Sequence, residues 1–307
     1  MSTLLVTHPI FLEHDTGPDH PECIKRLEVI LKEFDRPIYE KLVRLDAPLV
    51  TRDQVNRVHD EFYMERILAQ IPFSGTVELD GDTYVSPASG EAAQRAAGAL
   101  CLAVEQVMSG SVNRAFCAVR PPGHHAEPAQ SMGFCLFNNA MIGAAHARKK
   151  YNARVAIVDF DVHHGNGSST MVKSLEDCIY FSIHQHPLYP GSGSRQENIP
   201  GVICNIPVPP HSDREILEPS FSQVLLPALY QFMPDLIIIS AGFDAHAHDP
   251  LAECDYQDED FFWMTEQLVR TAKNLCEGRI VSTLEGGYNL DALARSCGLH
   301  MQALMVD

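Results

Sequence analysis

The chain has 307 residues, 45% hydrophobic and 21% charged, which excludes a wholly disordered or fibrous protein and gives enough length to bury a core without staples. Lysine and arginine number 23 against 40 aspartate and glutamate, and the resulting formal charge of −17 repels phosphate backbones, so direct nucleic-acid binding is not expected. The nine cysteines stand singly without a Cys-x-x-Cys pair, as reduced, buried thiols do, and no apolar run approaches the ~18 residues that cross a bilayer. Residues 1–6 are too short for a signal-peptide core and lack a basic leader, so a cytoplasmic chain is expected. There is no linker-like stretch or internal repeat, and one domain over residues 1–307 is the preferred reading.

In chain order, a polar loop over residues 13–20 precedes a helix expected over 22–34, and the rest of the first 80 residues is less regular. Amphipathic helices are expected over 90–108, 139–150, 220–232 and 260–276. Between them lie short apolar runs rich in β-branched residues, at 116–119, 155–158, 179–183, 236–239 and 280–284. Each is apolar on both faces, which suits strands of a buried parallel sheet, and the alternation with helices predicts a doubly wound α/β layer.

Each run ends in a polar cluster. Arg120-Pro121-Pro122-Gly123-His124-His125 follows the first and Asp159-Phe160-Asp161-Val162-His163-His164-Gly165-Asn166 the second. Ser182-Ile183-His184, Ser240-Ala241-Gly242-Phe243-Asp244 and Glu285-Gly286-Gly287-Tyr288 end the others. Open parallel sheets bind ligands beyond the carboxyl ends of their strands, so the five clusters should converge on one site.

Asp161-x-His163, read as extended, points a carboxylate and an imidazole the same way, with Asp159 in phase. Asp244 is the best-placed third ligand, and two carboxylates with one imidazole leave a metal open to water. The plainer alternative is that Asp161 and His163 only cap the next helix; the four neighbouring clusters weigh against it. His124 and His125 suit proton transfer, with Asp159 and Asn166 as candidate partners whose pairing the sequence leaves open. Tyr288 could donate to an oxyanion, or simply close a loop.

Together these motifs, with Gly133-Phe134-Cys135-Leu136-Phe137-Asn138, Asp249-Pro250-Leu251 and His20-Pro21-Glu22, resemble the zinc-dependent histone deacetylase family. The likeness is strongest to its class II branch, whose Asn it shares at position 166, and to bacterial deacetylase-like amidohydrolases. The resemblance implies a single α/β domain on an eight-stranded parallel sheet, related to arginases, that removes acetyl or other acyl groups from lysine. It implies one zinc on Asp161, His163 and Asp244. His125 would be the general base and then acid, His124 backed by Asp159 an electrostatic stabiliser, and Tyr288 the electrophile opposite the metal. Gly133, Phe134 and Tyr189 would wall the substrate channel, Asp82 would contact substrate at the rim, and Leu251 would stand at the gatekeeper position. A structural potassium would lie at Asp159 and the backbone around Asp161, His163 and Ser182.

The implied partner is an acylated lysine peptide or protein, or a small acylated amine, and a homo-oligomer is compatible with the sequence. An acetylpolyamine amidohydrolase would share the chemistry but tends to carry an acidic gatekeeper where this chain has Leu251. A two-metal ureohydrolase would need a carboxylate where this chain has Gly165. A non-catalytic acyl-ligand binding protein is the rival from another class.

Overall fold

The computed structural model describes residues 2–306. Its strands are β1 (Thr3–Thr7), β2 (Val43–Asp46), β3 (Val77–Asp80), β4 (Thr83–Val85), β5 (Arg114–Cys117), β6 (Val155–Asp159), β7 (Cys178–Gln185), β8 (Ile203–Val208), β9 (Leu236–Ala241) and β10 (Ile280–Leu284). Eight of them form one sheet in the order β2-β1-β5-β10-β9-β6-β7-β8, every pair parallel. β3 and β4 make a separate antiparallel hairpin.

The five strands expected from apolar runs are the five adjacent central ones, β5, β10, β9, β6 and β7, and all their residues are buried. Helices on both faces force this double-sided apolarity. Ser89–Met108 and Asn139–Tyr151 pack together on one side, while Lys25–Phe34, Leu290–Met305 and Asp258–Leu275 pack in turn on the other. The central strands end together, so the five polar clusters emerge side by side above the sheet.

Several boundaries differ from those expected. The run at 116–119 belongs to a strand that starts two residues earlier, at a charged side chain. Arg114 is buried there because its guanidinium donates to the carbonyls of Leu304 (2.8 Å) and Val306 (2.6 Å) at the end of the last helix. The expected helix over 220–232 is a π-helical stretch, Ser220–Leu225, followed by Leu226–Phe232. A short helix, Arg214–Pro219, leads into it, and Pro219 and Pro227 on either side of the π turn each lack an N–H.

Candidate active site

β6 ends at Asp159, and the chain bends through residues 160–165 rather than continuing as the extended segment expected. A turn, not strand alternation, brings Asp161 and His163 together. The Asp161 N–H donates to Asp159 Oδ1 (3.1 Å), and the His163 N–H donates to Asp161 Oδ1 (2.9 Å). Asp159 thus engages the Asp161 N–H through Oδ1, and His124 and Tyr180 through Oδ2. From beyond β9, Asp244 accepts from the Val162 N–H through Oδ1 (2.9 Å) and aims Oδ2 at His163.

His163 Nδ1 therefore lies 3.1 Å from Asp161 Oδ1 and 3.1 Å from Asp244 Oδ2. These three residues are the group among those described whose donor atoms converge as metal ligands, all within 4.8 Å. Donors bound tetrahedrally at roughly 2.0–2.2 Å stand about 3.3–3.6 Å apart, and a small outward shift of these side chains would admit a divalent ion. The charge fits as well. Asp161 and Asp244 are fully buried with one imidazole between them. Burial first, and then the Asp161 charge, push the Asp244 carboxyl up to about 7, as expected for a site built to receive a cation.

Gly286 is required by this crowding. Its N–H donates to Asp161 Oδ2 (2.8 Å), and a Cβ there would lie 2.0 Å from Asp244 Oδ2. Gly165 is equally confined: a Cβ would meet Asp159 Oδ2 at 2.4 Å and the Tyr180 hydroxyl at 2.5 Å. A carboxylate for a second metal has no room at that position.

The two histidines of the Pro-Pro-Gly turn have opposite surroundings. His124 Nδ1 lies 3.0 Å from Asp159 Oδ2, which also accepts from the Tyr180 hydroxyl (2.7 Å). Burial opposes the His124 charge, but Asp161 and Asp159 outweigh it and raise its pKa to about 10. His125 Nδ1 lies 2.8 Å from the Asn166 amide oxygen. Burial first, and then the His124 charge, hold His125 well below the ordinary value. One imidazole is thus kept as a cation and the other as a neutral base.

Above the cluster opens a cavity of about 210 Å³ lined by Asp82, His125, Gly133, Phe134, His163, Leu188, Tyr189, Leu251 and Tyr288. The Tyr189 ring stands edge-on to His125 at 5.1 Å, and Phe134 edge-on to Tyr288 at 5.9 Å. Phe134 adopts φ 68°, a conformation that a non-glycine residue rarely takes, and is held in it from the hairpin side. Asp82 Oδ1 accepts from the Gly133 N–H (3.0 Å), and Thr83 Oγ1 accepts from the Phe134 N–H (3.1 Å). Desolvation and the charges of Asp244 and Asp161 push the Tyr288 phenol well above its ordinary pKa, although the Arg26 guanidinium 5.0 Å from its ring works the other way. The hydroxyl keeps its proton and is a donor.

Of the residues expected around potassium, Ser182 has its hydroxyl 2.8 Å from His184 Nδ1, Asp159 is engaged as described, and Asp161 and His163 turn into the metal cluster. Residues not singled out from sequence hold the site in shape. Glu285 accepts from the N–H groups of Gly123 (2.7 Å) and His124 (3.2 Å) and from the Ser240 hydroxyl (3.0 Å). Asp249 accepts from the N–H groups of Tyr288 (2.7 Å) and Leu251 (3.0 Å), tying two walls together. Beneath them Glu22 bridges Arg120 (2.6 and 2.7 Å) and Arg26 (2.9 Å), and Arg26 donates to the carbonyls of Gly287 (2.6 Å) and Glu285 (2.5 Å). Glu285 and Asp249 stand inside motifs already quoted, which is the signal that could have found them.

An eight-stranded parallel α/β layer with a metal-ligand cluster at its carboxyl edge defines the class of protein, and the comparisons agree. The histone deacetylase domain model matches residues 20–304. The chain is 34% identical to histone deacetylase 14, chloroplastic, of Arabidopsis thaliana, over 93% of this chain and 73% of that protein. It is also 34% identical to the histone deacetylase-like amidohydrolase of Pseudomonas aeruginosa, over 92% of this chain and 74% of that one. The crystal structure of the HDA15 HD domain superimposes with a TM-score of 0.92 at 32% identity, covering 99% of this chain and 88% of that one. The chain belongs to the histone deacetylase family.

Proposed function

We propose that this protein is a zinc-dependent amidohydrolase of the class II type that removes acetyl or other acyl groups from lysine side chains of peptides or proteins. The observation that carries this reading is the buried Asp161–His163–Asp244 cluster at the foot of a cavity that His125 and Tyr288 also line. A divalent cation held there supplies Lewis acidity toward the acyl carbonyl and toward water. The same two carboxylates and imidazole would also accept Fe(II) or Co(II).

The chain's own groups account for the remaining steps. Neutral His125 takes a proton from the attacking water at Nε2 and returns it to the departing amine nitrogen. Tyr288 donates its hydrogen bond to the acyl oxygen as negative charge gathers there. His124, kept cationic by Asp161 and Asp159, stabilises that charge from behind. The cavity that Phe134 and Tyr189 both line suits an uncharged aliphatic stem.

Leu251 on the cavity wall supports acyl-lysine over acylated polyamines, because no acidic side chain stands at that position to select an amine. Turnover of an acetyl-lysine peptide against acetylputrescine, with zinc-loaded protein, tests the choice. The peptide should be hydrolysed faster; faster acetylputrescine turnover transfers the assignment to polyamines. Hydrolysis of neither, with full zinc occupancy, would leave a binding protein as the surviving reading.

A further inference from the structure

Glu127 has no part in the site as described, yet it completes a short chain of side chains ending on the base. Asn166 stands between His125 and Glu127: its Oδ1 is 2.8 Å from His125 Nδ1, and its Nδ2 donates to Glu127 Oε1 at 2.7 Å. We propose that Glu127 is a positioning residue that fixes the Asn166 amide and thereby holds the proton of neutral His125 on Nδ1, leaving Nε2 free as the base. The catalytic consequence rests on the deacetylase reading; the proton's location does not.

An asparagine amide has two orientations of nearly the same shape, and its partners decide between them. Besides Glu127, the Asn166 NH2 group faces the His125 carbonyl oxygen (3.4 Å) and the Met132 sulfur (3.3 Å). All three are acceptors. Turning the amide over would press Oδ1 against them and present an N–H to His125 Nδ1. The ring could answer only by accepting at Nδ1 and moving its proton to Nε2, where a base needs its lone pair.

Among the three acceptors only Glu127 carries a charge, and charge-assisted hydrogen bonds are about twice as strong as neutral ones. Glu127 is half-buried, on the wall of a second cavity of about 260 Å³ that shares no lining residue with the first. Its carboxylate keeps contact with solvent there and needs no buried counter-ion. Its backbone N–H is tied to the Gln130 carbonyl (2.9 Å), and Thr170 Oγ1 donates weakly to the same Oε1 (3.4 Å).

Variants at Glu127 and Asn166, together with the ring-nitrogen spectra of His125, test this. Glu127→Lys offers a donor in place of an acceptor and should invert the amide. Because general-base catalysis is worth roughly 10²–10⁴-fold, kcat on an acetyl-lysine peptide should fall at least about tenfold, with KM within about twofold and melting temperature kept. Glu127→Gln still presents an oxygen and should stay within about threefold of wild type by the same reasoning. Adding Asn166→Asp to Glu127→Lys should recover activity, since a carboxylate accepts from both neighbours. Should Glu127→Lys not fold, Glu127→Leu, which removes the acceptor without adding charge, takes its place. Long-range ¹H–¹⁵N spectra should place the His125 proton on Nδ1 in wild type and on Nε2 in Glu127→Lys. Wild-type kcat in Glu127→Lys, an effect of Glu127→Gln as large as that of Glu127→Lys, or the same tautomer in both proteins would overturn the proposal. A wild type that hydrolyses no acylated substrate would defeat the deacetylase reading instead, and the spectra would still decide the tautomer.

Discussion

Tyr288 and the histidine pair show how far residue-level chemistry depends on neighbours that a sequence does not place. The adjacent histidines can be picked out in the sequence as candidates for proton transfer, but what sets them apart is Asp159 behind one and the Asn166 amide behind the other. Tyr288 was ambiguous between loop closure and catalysis; its place in the cavity wall beside His125 and His163 favours catalysis. Tyr288→Phe removes the hydroxyl and keeps the shape. It should lower kcat about 10²–10³-fold while a hydroxamate analogue of the substrate still binds within severalfold, as measured by steady-state kinetics and calorimetry. A loss below threefold would remove Tyr288 from the chemistry.

Among the elements, the central strands could be read because burial on both faces leaves an unbroken apolar run, whereas the sheet's margins could not. β2 is exposed at all four positions, and β8 carries Asn205 and Pro207 within its six residues, the proline being tolerated at a sheet edge. The helix Leu290–Met305 went unrecognised although Asn289 caps it, because the same residue belongs to the Gly-Gly-Tyr-Asn motif. At the bend after β6 the extended geometry expected from sequence gives way to a turn: the N–H groups of Asp161 and His163 donate to the Asp159 and Asp161 carboxylates and fold the chain back on itself. The loop after β10 makes the matching approach through Gly286. Gly286→Ala should expel the metal without unfolding the sheet, lowering metal content per chain severalfold while the far-ultraviolet dichroism is unchanged. Full metal occupancy in that variant would show that the loop has slack the structure does not display.

At the scale of the whole molecule, buried polar groups pin the sheet to its helices, and one of them is an imidazole that burial keeps neutral. His300, from the last helix, packs edge-on against Phe116, Phe160 and Phe243 and joins Thr265 (2.7 Å) to Ser282 (2.8 Å). The Thr265 hydroxyl donates to the Phe261 carbonyl (2.7 Å), so it accepts from His300 Nδ1–H, and Nε2 accepts from Ser282. Burial lowers the His300 pKa from 6.5 to about 3. Below pH 6.5 the unfolded chain takes up a proton that the folded chain refuses, so this contribution is full above 6.5 and is lost as pH falls toward 3. His300→Gln can make both hydrogen bonds without titrating. Relative to that variant, wild-type stability should drop by about 1.4 kcal/mol per pH unit between pH 6 and 4, measured by urea unfolding. A difference independent of pH would contradict the assignment of a neutral, buried imidazole.

The proposed hydrolysis depends on one divalent ion held by Asp161, His163 and Asp244. Metal content and acetyl-lysine turnover measured on the same preparation, before chelation, after it and after zinc is restored, test this most directly. Native protein should carry one equivalent of metal per chain, lose turnover when it is removed, and recover at one equivalent of zinc. Turnover that persists undiminished in fully metal-free protein would contradict this dependence.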